Sequence, residues 1–530
     1  MSGLQSRAAA AMAVAVSILC SLLPFALASP TPQQPNLLPW ERAADDWTWD
    51  ESNAQQLSNV GPALGPQLSS SSSIFGPSDP RWDEATERYD AHSAPHIRLV
   101  VQPGTEGDVP VIVRYANKHG IPFYAVNTGH GFTVSQTAFD GIQIDLGALA
   151  AVSLSPGGET AWIQGGAAAE EAVDELWELG YVTTTGSAGC PGILGVGLGG
   201  GHGRLQGFHG LVSDNFVTFH MVLANGRAIT VSESSHPDLF WAMRGAGHNF
   251  GIVTSVEMRV YPRPERDWSF KVYAWTQDKI EPVFEELIRL HGEDEPRDLV
   301  VTQGIYVLDP RVSASEPIFL WNVLWAGPLS EAHSYLAPFD AIPALTTQNG
   351  SAPYNLISEA TDTGADSQLC ARGRTHMHYP SYLREWNVTA QRAIYDLFAE
   401  NIATNPAAYG QATVVMEDYK YDAVARVDGA SSAYPWRDRR LLNTVVISYD
   451  PDPSLDNFAL TWARRTKELW NEGQPGVPEA NYVNYAAGDE EIESVYGYEP
   501  WRLRRLRALK AKYDPLGRFN YYNPIPVGPV

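Results

Sequence analysis

Between Thr185 and Asn215 the chain passes through Gly189-Cys190-Pro191-Gly192 and Gly199-Gly200-Gly201-His202-Gly203, with His209 following. Glycine has no Cβ, so such a tract lets main chain lie directly against a flat or phosphorylated ligand. One sulfur and two imidazoles set in it are groups that can bond to a ligand. A second set lies upstream, where Asn127-Thr128-Gly129-His130-Gly131 follows the apolar run Ile121 to Val126. That run reads as a buried strand, so the amides after it can point into a cavity and donate to a pyrophosphate, with His130 beside it. A histidine that only hydrogen-bonds inside a tight turn is the competing reading of Gly-His-Gly.

Several chemistries are excluded by spacing. Gly195-x-Gly197-x-x-Gly200 matches the dinucleotide fingerprint in letters only, because Cys190-Pro191-Gly192 stands where a strand must precede it. No Gly-Lys-Ser/Thr follows, so it is no nucleotide-triphosphate loop. His130, His202, His209 and His248 show neither i, i+4 spacing nor a Cys-x-x-Cys partner, and no metal site is expected.

The elements that must position these groups follow from periodicity. A strand at Ile97 to Val101, a helix opened near Asp108 with Pro110 in its first turn and stopped by Gly120, and the strand Ile121 to Val126 form a β-α-β unit. A helix from Glu170 to Leu179, stopped by Gly180, leads into a strand Tyr181 to Thr185. From roughly Glu265 the texture changes to longer segments with many aromatics, among them Trp275, Phe284, Trp321 and Trp436, which reads as a second α+β domain. Near the end, a basic helix Pro500 to Tyr513 is broken by Asp514-Pro515-Leu516-Gly517. The expected organisation is a leader at 1–28, an arm or linker at 29–75 containing Trp40, Trp47, Trp49 and the run Ser69 to Ser73, an α+β region at 76–264, a second at 265–475, and a closing segment at 476–530.

With 37 basic and 61 acidic residues the formal charge of the 530-residue chain is −24, which argues against nucleic acid and anionic membrane surfaces as partners. Arg7, the apolar run Ala8 to Ala28 and Ala26-Leu27-Ala28 read as a secretory leader cleaved after Ala28, giving a secreted protein with no membrane association afterwards. Cleavage removes Cys20 and leaves Cys190 and Cys370, which can form one disulfide but no disulfide scaffold. Asn349-Gly-Ser and Asn387-Val-Thr are glycosylation sequons in keeping with that route.

The two glycine loops combine with His236-Pro237-Asp238-Leu239-Phe240-Trp241-Ala242-Met243-Arg244-Gly245-Ala246-Gly247-His248-Asn249-Phe250-Gly251-Ile252-Val253, with Tyr482-Val483-Asn484-Tyr485 and with Lys512-Tyr513-Asp514-Pro515. In this combination and order the chain resembles the secreted FAD-linked oxidases of the berberine-bridge-enzyme group, in the vanillyl-alcohol-oxidase superfamily. The resemblance covers most of residues 80–263 and about 480–525. It implies an α+β fold: a two-subdomain FAD-binding domain of the PCMH type, completed by the C-terminal segment, plus an α+β substrate domain whose antiparallel sheet is backed by helices.

The resemblance also implies the site. His130 matches the histidine linked to the flavin 8-methyl group, and Cys190 matches the cysteine that joins flavin carbon 6 in doubly linked members. A small buried thiol and a disulfide to Cys370 stay open for Cys190, because its distance to Gly199 is two residues shorter than in many such members. Asn127, Thr128, Gly129 and Gly131, the stretch Gly199, Gly200, Gly201, His202 and Gly203, and Asn249, Gly251, Ile252 and Val253 are the implied FAD neighbours. Tyr485 matches the family's catalytic tyrosine, with Tyr482 and Asn484 orienting substrate. Ala486-Ala487 stands where an acidic residue usually follows two positions beyond the tyrosine, and a phenol with an ordinary pKa near 10 needs help to act as a base near neutrality.

The implied activity is oxidation of a small natural product at an alcohol, amine or activated C–H group, with hydride passing to flavin and dioxygen reduced to hydrogen peroxide, in secondary metabolism. An oligosaccharide oxidase forming a lactone is the second enzyme reading, since aromatics in the middle region suit sugars and planar metabolites equally. A flavin-binding protein without catalysis is the alternative from another class.

Overall fold

The computed structural model describes residues 57–291, 295–313 and 315–527. The leader, the arm tryptophans and Cys20 lie outside the described residues. Four strands form the first sheet: β1 (Ser73–Phe75), β2 (His96–Gln102), β3 (Phe123–Val126) and β4 (Asp140–Asp145), in the order β1-β2-β4-β3. β2 and β3 both run parallel to β4, so the expected β-α-β unit is present with a strand inserted between its two arms. Its helix, Asp108–Lys118, buries Val109, Ile112, Val113 and Ala116 against Phe123, Ile142 and Ile144.

The start of that helix corrects one expectation. The run Ser69 to Ser73 is packed rather than a linker: the Asp108 carboxylate accepts hydrogen bonds from the Ser69 amide (2.8 Å), the Ser69 hydroxyl (2.7 Å), the Ser72 hydroxyl and the Thr105 amide. Those donors hold its pKa down to about 2 against burial, which raises it.

Next come β5 (Val152–Leu154), β6 (Thr160–Gln164), β7 (Tyr181–Val182), β8 (Phe216–Val222), β9 (Ala228–Ser232), β10 (Ile252–Arg259) and β11 (Tyr261–Pro262). Five of them form an antiparallel sheet in the order β5-β6-β10-β8-β9, and β7 pairs with β11 as a ribbon. The expected strand Tyr181 to Thr185 is therefore shorter. Its second half is buried but pairs through side chains, as when the Thr183 hydroxyl donates to the Arg259 carbonyl (2.7 Å).

The third layer is a seven-stranded antiparallel sheet of β12 (Trp268–Trp275), β13 (Leu299–Val307), β14 (Ile318–Trp325), β15 (Thr346–Ala352), β16 (Thr375–Leu383), β17 (Thr413–Tyr419) and β18 (Leu441–Tyr449), ordered β15-β12-β14-β13-β17-β18-β16. Helices Ile280–His291, Val388–Thr404 and Pro453–Glu472 contribute Phe284, Ile394, Phe398, Trp462 and Trp470 to a core shared with Trp275, Trp321, Val414, Met416, Met377 and Tyr379 of the strands. Successive side chains of a strand point to opposite faces. With Val414 and Met416 turned to the helices, Glu417 and Tyr419 face the other way; with Met377 and Tyr379 so turned, His376 and His378 do likewise. The face left free by the helices therefore carries Glu417, Tyr419, His376 and His378. Together the three sheets and their helices give the α+β fold the resemblance implies.

Candidate functional site

His130 follows β3 directly, at a turn where Gly129 has φ +70°. Its ring lies on Tyr89 (centroids 4.4 Å, planes 22° apart), and Tyr89 lies in turn on His376 of β16 (4.1 Å, 8°). Burial first, and then the charges of Arg372 and His376, push the His130 pKa down to about 3, so the imidazole is neutral at physiological pH. Its Nδ1 is buried without a partner.

Cys190 stands beside it, Sγ 3.5 Å from His130 Nε2, and is bonded to Cys370 in a disulfide that spans 180 residues of sequence. The alternative left open in the sequence is thus present. A sulfur in a disulfide is not free for a thioether. Asn127 and Thr128 tie the two loops together: Asn127 Nδ2 donates to the Gly165 carbonyl (2.6 Å) and Thr128 Oγ1 accepts from the Gly192 amide (3.0 Å).

The second glycine tract is packed on its own chain. Gly200 (φ +116°) and Gly201 (φ +89°) take backbone conformations that side chains resist, and a Cβ at Gly199 would collide with Asn484, one at Gly203 with the Thr185 carbonyl. Tyr482 and Asn484 hold the tract in place. The buried Tyr482 hydroxyl accepts from the Gly201 amide (3.1 Å) and from Asn484 Nδ2 (2.7 Å), and Asn484 Nδ2 also reaches the Val196 carbonyl. These contacts make both residues supports of the tract.

Two of the expected cofactor neighbours have side chains bonded within the chain. His202 pairs through Nδ1 with Gln206 (2.9 Å) and through Nε2 with the Tyr434 hydroxyl (2.8 Å), so its ring belongs to a buried phenol network. Asn249 donates to Tyr496 (3.0 Å) and accepts from the Ile525 amide (2.8 Å), which anchors the C-terminal segment. Gly251, Ile252 and Val253 enter β10 at the centre of the five-stranded sheet, where a Cβ on Gly251 would meet the Val222 carbonyl. Gly131 packs against Gln136 and Tyr522.

Tyr485 sits at the other end of an aromatic row that starts at His130: Tyr89 neighbours Phe132 (6.3 Å), Phe132 lies against His378 (4.0 Å), and His378 meets Tyr485 edge-on (5.2 Å). The Tyr485 hydroxyl donates to Glu417 Oε2 (2.9 Å), and the Tyr419 hydroxyl donates to Glu417 Oε1 (2.7 Å). Burial, and then the neighbouring carboxylate, raise the Tyr485 pKa well above the ordinary phenol value; burial raises that of Glu417 against the hydrogen bonds of the two phenols. Tyr485 is therefore held protonated, against a carboxylate that comes from β17. Sequence reasoning passed over Glu417, although an acidic pair, Glu417-Asp418, in an otherwise apolar strand was a visible signal. Asp418 points the opposite way and pairs with Arg440 (2.6 Å) and His291 (2.6 Å).

The residues present fit a flavin. His130 Nδ1, Asn127 Oδ1, Asn484 Oδ1 and His248 Nδ1 are buried polar atoms without partners on the loops that surround the site, and buried polar groups call for a partner. Among the described residues no group of three or more His, Cys, Asp or Glu is arranged to hold a metal ion, and no helix is long and apolar enough to cross a membrane.

Comparison with known proteins agrees with this geometry. An FAD binding domain model matches residues 97–232, and a "Berberine and berberine like" model matches residues 481–526. The chain is 50% identical over 467 residues to the FAD-linked oxidoreductase anuG of Penicillium roqueforti, covering 88% of this chain and 92% of that one. Chitooligosaccharide oxidase superposes with a TM-score of 0.74 at 21% identity, over 89% of this chain and 99% of the other. A glucooligosaccharide oxidase from Acremonium strictum, described with a 6-S-cysteinyl, 8α-N1-histidyl FAD, superposes with a TM-score of 0.75 at 19% identity, over 89% and 99%. The chain belongs to the berberine-bridge-enzyme-like FAD-linked oxidoreductases, of the vanillyl-alcohol-oxidase superfamily, and its cofactor is FAD.

Proposed function

We propose that this oxidoreductase is a secreted oxidase of a small natural product, with FAD bound covalently through His130 and a proton relay from Tyr485 to Glu417. The observation that carries the reading is the hydrogen bond from the Tyr485 phenol to the buried Glu417 carboxylate, at the far end of the aromatic row from His130. The flavin supplies hydride acceptance, and its reoxidation by dioxygen yields hydrogen peroxide.

The side chains divide the remaining work. A substrate O–H, N–H or acidic C–H proton moves to the Tyr485 oxygen as that oxygen releases its own proton to Glu417 Oε2. A phenolate never has to persist beside a carboxylate. Tyr419 fixes the other carboxylate oxygen, and Ser187 (2.8 Å from the Tyr419 hydroxyl) holds Tyr419. The neutral His130 imidazole, with Nδ1 unpartnered, is suited to bond formation through that nitrogen.

The secreted location rests on the leader reading of residues 1–28. Of the two sequons, Asn349 stands exposed on the edge strand β15, whereas Asn387 caps helix Val388–Thr404 by accepting from the Ala390 amide (3.0 Å). The test is a screen of small alcohols, amines and oligosaccharides for hydrogen peroxide release by protein purified with its flavin. Peroxide with an aromatic or alicyclic metabolite supports the reading, peroxide with oligosaccharides alone replaces it by lactone formation, and anaerobic bleaching of flavin without peroxide in air would make the protein a dehydrogenase.

A further inference from the structure

The loop that brings Cys370 to Cys190 is fastened on both sides of the cysteine. It leaves the seven-stranded sheet after β15 and returns to it at β16. On the upstream side Arg204 donates to Ser358 Oγ (2.8 Å) and Thr363 Oγ1 (2.7 Å), the Gly189 amide donates to the Thr363 carbonyl (2.9 Å), and the Ala365 amide donates to Glu170 Oε2 (2.7 Å). On the downstream side Arg372 Nη2 donates to the Thr128 carbonyl (2.6 Å), two residues before His130, and the Gly373 amide donates to the Arg88 carbonyl (2.9 Å). Cys370 is buried between these anchors, with Cα 6.0 Å from that of Cys190. That separation is ordinary for a disulfide.

We propose that the loop between Ser358 and Arg374 is a strap over the edge of the flavin site, that Cys370 is its staple, and that Cys190 is thereby committed to Cys370 and not to the flavin ring. A divalent sulfur bonded to its own Cβ has one further bond to give. Cys190 Sγ stands 3.5 Å from His130 Nε2, so the same atom is beside the flavin-linking histidine and already engaged. The flavin is then carried by His130 alone, a conclusion that rests on the proposed role of His130, whereas the staple does not. Forming the bond removes two electrons and two protons from the two thiols, which a disulfide-donating oxidoreductase of the secretory route takes up by exchange as it becomes a dithiol.

The shortened loop between Cys190 and Gly199 agrees with this assignment. Pro191 follows the cysteine at once, and the Gly192 amide is held by Thr128. The Ala169 amide donates to the Pro191 carbonyl (2.9 Å). The cysteine is thus fixed on the side of the loop that faces the strap.

Peptide mapping of the native, unreduced protein decides the matter. The peptides containing Cys190 and Cys370 are expected to be joined, to separate on treatment with dithiothreitol with one hydrogen gained by each, and to carry no flavin mass; flavin mass is expected on the His130 peptide. A flavin mass on the Cys190 peptide, or two free thiols in denatured unreduced protein, overturns the proposal. An intact staple with no flavin on His130 overturns the proposed cofactor link and leaves the staple standing. In Cys370→Ser protein, trypsin should cut at Arg372 and Arg374 severalfold faster than in the native chain while the acid-precipitated pellet stays yellow; cleavage at the native rate removes the strap's dependence on the staple.

Discussion

The Tyr485 phenol and the Glu417 carboxylate meet at 2.9 Å, although 68 residues separate them in sequence. One belongs to the segment that follows helix Pro453–Glu472, the other to β17 on the sheet face turned away from the helices. The relationship inverts the simplest account of a tyrosine base. A carboxylate beside a phenol stabilises the protonated phenol, so Tyr485 can take a proton only by passing its own onward.

Two substitutions test the relay. Tyr485→Phe and Glu417→Gln should each lower turnover by about 10²- to 10⁴-fold, the range for a positioned acid–base group, with flavin retained. Glu417 must be ionised to accept the proton, so the native rate should climb as pH rises through a value above the usual glutamic acid range, because burial raises its pKa. The pH profile of the Glu417→Gln protein should lose that rising limb. If the limb survives, Glu417 is not the acceptor.

His130→Ala should leave a protein whose acid-precipitated pellet is colourless, because the substitution removes the unpartnered Nδ1 through which the flavin is proposed to be bonded. Thermal unfolding of the variant should show a lower midpoint than the native holoprotein, since the covalent tether holds the flavin at high effective concentration beside the folded-state contacts it makes, and the variant lacks that tether. A yellow pellet that maps to another peptide would move the attachment point.

The sequence made the β-α-β unit, the basic C-terminal helix and the loop after β3 legible, because each has a local cause: apolar periodicity, a proline in a first turn, a glycine stop. Glu417 and the strap were not legible, because they depend on which strand lies opposite Tyr485 and on where a long connection crosses the molecule. The side-chain partners of His202 and Asn249 were equally illegible. Their side chains bond to Tyr434 and to the C-terminal segment, a choice made by packing and not by local sequence.

Lys510 and Asp514 form a fully buried ion pair (2.7 Å), with the lysine also donating to the carbonyls of Asn249 and Phe519 and the aspartate accepting from the amides of Arg518 and Phe519. Removing one partner leaves an uncompensated buried charge. Asp514→Asn should therefore destabilise the fold by about 3–5 kcal/mol, measured by urea unfolding, and should free the segment that Asn249 anchors. The Lys510→Met, Asp514→Leu double variant should lose less than Asp514→Asn alone, since it leaves no orphaned charge. Equal losses would show that the pair's hydrogen bonds to main chain, and not its charges, hold the turn.

Acid should weaken the fold through its buried histidines. Burial holds the pKa of His202, His248 and His376 down to about 4 and that of His378 down to about 3, against an ordinary value of 6.5. In the window between the ordinary value and the depressed ones, the unfolded chain binds protons that the native chain does not. Stability is then fully present above about pH 6.5 and falls as pH drops toward 4, each fully affected histidine contributing a slope of about 1.4 kcal/mol per pH unit. Urea unfolding at several pH values across that window reads the slope directly. His202→Gln, whose amide can still bond to Tyr434, should flatten it by about one histidine's share; an unchanged slope would mean that His202 is protonated in the native protein, and that the phenol network around it carries a charge.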